Sequence, residues 1–83
     1  MSVSIIGVSG DQHVQVFEDA PHLAQLQDMV GGYIEVINLG KQQMVVNEDG
    51  LSLNLPPNKA ASMLAECLIV GPAVLLDGKH VVT

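Results

Sequence analysis

Turn-forming residues recur so often along this chain that every segment between them is short. Ser9-Gly10-Asp11, Pro21, Gly31-Gly32, Gly40, Asn47-Glu48-Asp49-Gly50, Pro56-Pro57-Asn58, Gly71-Pro72 and Asp77-Gly78 punctuate the 83 residues from end to end. Glycine supplies positive φ, proline fixes φ, and asparagine and aspartate bond their own backbone, so each cluster marks a place where a helix or strand stops. Only a fold of short elements can satisfy that spacing.

The apolar period between the breaks identifies the elements. SVSIIGV (2–8) and HVQVF (13–17) read as strands of a hairpin, the second by alternation of Val14 and Val16 against Gln15. Pro21 suits a first helical turn, and Leu23, Leu26, Met29 and Val30 share a helical stripe that Gly31-Gly32 ends, predicting a helix over 20–30. YIEVINL (33–39) and QMVVNE (43–48) make a second hairpin near Gly40. Asn58 then caps a helix over 58–68 with an apolar stripe of Ala60, Ala61, Met63, Leu64, Cys67 and Leu68. PAVLL (72–76) and KHVVT (79–83) flank Asp77-Gly78, which suits a type I′ turn. The chain reads as a single α+β domain over 1–83, order β-β-α-β-β-α-β-β, with two short helices packed on a mainly antiparallel sheet.

Composition narrows the classes of function. The chain is 48% hydrophobic, yet Tyr33 and Phe17 are its only aromatic residues, so an aliphatic core must carry the fold. So small a core leaves apolar surface uncovered, and a homo-oligomer is expected. Nine acidic residues against three lysines, with no arginine, give a net charge of −6, which disfavours nucleic acid as a partner. Cys67 stands alone and permits no internal disulfide, and MSVSIIGVSGD lacks the basic start and apolar run of a secretory signal, so a cytoplasmic address is expected. CLIVGPAVLL (67–76) is broken by Gly71-Pro72 and falls well short of the roughly 20 residues of a spanning helix, so no membrane anchor is expected.

Catalytic and metal chemistry find little purchase. His13, His22 and His80 lack a Cys, Asp or Glu at ligand spacing. Cys67 falls on the apolar side of the second predicted helix and reads as a small buried residue, not a nucleophile. Asn47-Glu48-Asp49-Gly50 resembles the start of a calcium loop, but Leu51 and Leu53 stand where oxygen donors would be needed, and a turn is the better reading. No phosphate-binding glycine loop or nucleophile elbow occurs. No catalytic residue, metal or cofactor is expected, and the chain reads as a non-enzyme.

One polar constellation depends on register. If the central hairpin turns around Lys41, Glu35 lies opposite Asn47 and Ile37 opposite Val45, with Tyr33 on the same face, and Tyr33, Glu35 and Asn47 could meet the donors of a base or sugar. A slip of one residue sets Glu35 against Val46 and dissolves the cluster, leaving a solvated sheet face. A second feature is LPPNKAAS (55–62), where Asn58 and Lys59 open a helix. As a plain cap, Asn58 is worth about 1 kcal/mol. As half of a site, the amides around Lys59–Ala61 and the Lys59 ammonium would meet an anion.

These residues also carry a resemblance. VGGYIE (30–35), VNEDG (46–50) and LPPNKAAS (55–62), in this order and spacing, resemble domain of unknown function 3846 over nearly the whole chain. That family comprises small proteins of phages, plasmids and their bacterial or archaeal hosts, so the resemblance implies a mobile-element setting, the host cytoplasm if phage-encoded, and no particular activity. Lys59 stands where the family has a basic residue, often arginine, so an anion would be held less firmly. Polar motif residues that folding does not obviously demand favour a shared pocket of Tyr33, Glu35, Asn47, Asn58 and Lys59. The expected function is therefore a non-catalytic, counter-defence binder of a small anionic ligand such as a nucleotide immune signal. The alternative is an acidic inhibitor or regulator of a host protein.

Overall fold

A computed structural model describes residues 2–16 and 22–77. Five strands and two helices follow in the order β1 (Ser2–Ile6), β2 (Gln12–Val16), α1 (Leu23–Val30), β3 (Ile34–Asn38), β4 (Gln42–Asn47), α2 (Lys59–Ala65) and β5 (Ala73–Asp77). The strands form one sheet of spatial order β2-β1-β5-β4-β3, and each neighbouring pair is antiparallel. The α+β class and the two hairpins agree with the sequence reading. The strand predicted over 79–83 falls outside the described residues, as does Gly78 of the turn before it.

The helices cover opposite faces of the sheet, and strand alternation explains how. Val3, Val45, Val74 and Leu76 pack with Leu26 and Val30 of α1, while Ile6, Met44, Val46 and Ala73 pack with Ala61 of α2. Successive residues of β4 and β5 therefore serve different layers, and strands buried on both faces read as continuous apolar runs, here MVV and AVLL. Strand β2 lies beyond both helices, and all five of its residues are exposed.

Both helices are shorter than the sequence predicts. Helix α1 begins after His22, whose backbone N–H donates to Gln25 Oε1 at 2.7 Å, so Pro21 precedes the cap and lies outside the described residues. It ends where Gly31 takes φ 81° and donates to Gln27 O at 2.8 Å. Helix α2 stops at Ala65, with Glu66 left-handed at φ 57°. The chain then folds back: Ser62 Oγ donates to Ile69 O at 3.2 Å and accepts from Ile69 N at 2.8 Å, and Pro57 bridges Val70. That return leaves Cys67 and Leu68 outside the helix and exposed, correcting the expected buried cysteine. Only Ala61 of the predicted stripe is fully buried, while Met63 and Leu64 face outward. No helix of the described residues is long and apolar enough to cross a membrane.

Candidate functional site

The central hairpin takes the slipped register. Leu39 N donates to Gln42 O at 2.9 Å across a two-residue loop, Gly40-Lys41, in which Gly40 has φ 91°. Two-residue hairpin loops favour a first residue with positive φ, which only glycine adopts freely. Closing on Gly40 and Lys41, not around Lys41 alone, sets Glu35 opposite Val46, Ile37 opposite Met44 and Asn47 opposite Ile34. Glu35 and Asn47 thus leave the sheet on opposite faces, and the expected Tyr33–Glu35–Asn47 cluster does not form.

Asn47 is instead a buried tie. Its Nδ2 donates to Val30 O at 3.0 Å, and its Oδ1 accepts from Asp49 N at 2.8 Å. The first bond satisfies a carbonyl in the last turn of α1, where intrahelical donors run out. Gly32 lies so close that an added Cβ would stand 3.0 Å from Asn47 Nδ2, so the second glycine of VGGYIE makes room for the asparagine of VNEDG. Glu48 N donating to Tyr33 O at 2.8 Å joins the same two motifs by backbone.

Asn58 is tied more tightly still. Wholly buried, its side chain accepts from Ala61 N at 3.1 Å and donates from Nδ2 to both Ile6 O and Gly71 O at 2.9 Å. Its backbone N–H reaches Ile69 O at 2.8 Å, and Ser62 N donates back to Asn58 O at 2.9 Å. One side chain joins the end of β1, the turn before β5 and the first turn of α2. Both Nδ2 hydrogens go to backbone carbonyls and Oδ1 accepts from a backbone amide, and the side chain is wholly buried, so Asn58 turns no group toward a ligand at the surface. The Ala61 amide, expected to meet an anion, is taken by Asn58 itself.

The remaining three candidates are exposed and stand apart. Tyr33, 68% exposed, borders an open groove of about 460 Å³ together with Asp28, Gly32, Asn47, Asp49 and Leu53. Glu35 borders a smaller hollow of about 160 Å³ with Ile37, Val46, Leu51 and Leu68. Lys59 lies at a third hollow, about 350 Å³, formed with Val8, Ser9, Ala60 and Met63. The five residues do not converge on one pocket, although Asn47 borders the first two hollows. Asp28 and Asp49 beside Tyr33 are the residues that sequence reasoning missed. They come from α1 and from the turn after β4: Asp49 lies inside VNEDG and Asp28 two residues before VGGYIE, the two motifs that the Asn47 tie brings together. Among the described residues, no three His, Cys, Asp or Glu side chains gather as a metal site would require.

The three motifs thus lock to one another and to the sheet. The model of a protein family, DUF3846, a domain of unknown function, matches residues 1–81. The chain belongs to this family. No curated protein and no solved structure matches it. In this chain the asparagines of VNEDG and LPPNKAAS belong to the interior of the fold, while Tyr33, Glu35 and Lys59 are presented to solvent.

Proposed function

We propose that this chain is a non-catalytic binding protein that engages a polypeptide partner through an acidic, partly apolar surface centred on the Tyr33 groove. The observation that carries this reading is the composition of that groove. An exposed phenol stands with two exposed carboxylates, Asp28 and Asp49, and the apolar Leu53 over a floor fixed by Asn47. Aromatic residues on a rigid floor supply contact area at low entropic cost, and paired carboxylates suit a lysine or arginine side chain. A phosphate would meet like charge there. The groove is open, whereas a small-molecule pocket encloses most of its ligand, and this favours a segment of protein surface.

A photo-crosslinking residue at position 33 tests this in cells. It should give one discrete protein adduct, lost when Asp28 and Asp49 are both changed to lysine, whereas the same residue at position 59 should give none. Adducts of equal yield at both positions would overturn the reading.

One observation favours a second reading, capture of a small anionic ligand in a counter-defence role: Lys59 opens onto a hollow with Ser9. Native mass spectrometry of protein purified from cells would then show a retained mass that Lys59→Glu removes.

A further inference from the structure

We propose that strand β2 is the surface through which two copies of this chain associate, edge to edge and antiparallel, about a two-fold axis through Val14. The two outer strands of the sheet differ in how they meet solvent. An outer strand exposes unpaired backbone N–H and C=O groups, and proteins normally guard such an edge with a charge, a proline or a bulge. Strand β3 carries a charge, Glu35, within the strand itself. Strand β2, QHVQV, has no acidic or lysine residue, no proline and an unbroken register with β1 from Ser2↔Val16 to Ile6↔Gln12. Among the described residues, no strand pairs with its outer side.

Self-pairing suits this strand and this chain. Two copies of a protein with net charge −6 repel unless their contact is neutral, and β2 supplies a neutral stretch. Centring the pair on Val14 uses all five residues, setting Val14 against its own copy, His13 against Gln15 and Gln12 against Val16. Asp11, just before the strand, then lies roughly 20 Å from its own copy at ~3.4 Å per residue, but Glu18 and Asp19 follow the strand by two and three residues, so the pairing should tighten as salt screens the flanks.

A two-fold axis normal to the sheet keeps each side chain on its own face. Val14 aligns through the register with Ser4, Leu75 and Met44, on the face that α2 covers further along. Val14 and Val16 are 64% and 80% exposed in the single chain. Pairing brings both valines of each copy together as direct and diagonal neighbours, extending the apolar row of one sheet into the next. This pairing gives the partner, a second copy, that the small aliphatic core calls for.

Five paired residues bury less than the ~800 Å² per partner of a standard interface, so association should depend on concentration. Light scattering is expected to give the mass of two chains at millimolar concentration and to fall toward one on dilution. Val14→Lys sets two ammonium groups opposite each other and should give a single-chain mass throughout with an unchanged circular dichroism spectrum. If that variant does not fold, cysteine variants in a Cys67→Ala background decide. Val14→Cys should oxidise to a covalent dimer, because directly opposed Cα atoms lie about 4.5–5.5 Å apart, within disulfide reach. Val16→Cys, its copies ~14 Å apart, should not. A single-chain mass for the unaltered protein at millimolar concentration, a two-chain mass retained by folded Val14→Lys, or equal cross-linking of the two cysteine variants would each overturn the proposal.

Discussion

The Asn58 junction and the Tyr33 groove both draw on the three motifs of this chain, yet they use polar residues in opposite ways. At the junction a wholly buried amide spends its donors and acceptor on the backbone of Ile6, Gly71 and Ala61. At the groove a phenol and two carboxylates face water over a floor that a second asparagine holds. Sharing a motif therefore does not decide whether a side chain is spent on the fold or left to solvent; the burial and partners of each side chain do. Asn47 stands between the two regions, since it closes α1 onto β4 and also borders the groove.

The sharpest way to break this contrast is to remove the buried amide. Asn58→Ala loses a helix cap worth about 1 kcal/mol and leaves two interior carbonyls short of a donor, at about 1–3 kcal/mol for each unsatisfied group. A loss of about 3 kcal/mol or more should follow in chemical denaturation, a large part of the ~5–15 kcal/mol available to a domain. A plain cap would lose only the first of these contributions. Asn47→Ala should cost about 2 kcal/mol through the stranded Val30 carbonyl, and hydrogen exchange should quicken in the last turn of α1.

Exposed positions should behave differently. Tyr33→Ala and Lys59→Glu should each change stability by less than about 0.5 kcal/mol, and only Tyr33→Ala should diminish capture of a protein partner. The smallest effect belongs to the first hairpin. The Ser9 hydroxyl, 2.6 Å from Asp11 Oδ1, is the main cause that holds the Asp11 carboxyl below its ordinary value, with a backbone N–H and His13 adding to it. A depressed folded value means that this contact contributes above the unfolded value and is lost as pH falls through the folded one. Ser9→Ala should therefore move the Asp11 titration upward by NMR while leaving stability at neutral pH almost unchanged.

Five strands, both helices and the first two hairpins were legible in the sequence because alternation and turn residues are local signals. The end of α2 was not, because Ile69 and Val70 return to Ser62 and Pro57, contacts that no period within 58–68 records. The choice between two registers one residue apart stayed open because Gly40 can sit inside a two-residue or a longer loop, and only the closed hairpin reveals which. The roles of Asn47 and Asn58 were hidden for a further reason. Their partners are backbone groups of Val30, Ile6, Gly71, Ala61 and Asp49, and every sequence offers backbone groups everywhere. An asparagine beside a helix start therefore looks the same whether it caps, anchors or binds.

Asn58→Asp tests the central claim most directly, because aspartate caps a helix as well as asparagine does but has no N–H to donate. If Asn58 ties Ile6 and Gly71 to α2, chemical denaturation at neutral pH should show Asn58→Asp losing at least as much stability as Asn58→Ala, since it also buries a charge beside two carbonyls. Stability of Asn58→Asp equal to that of the unaltered protein would contradict the account and return Asn58 to the role of a cap.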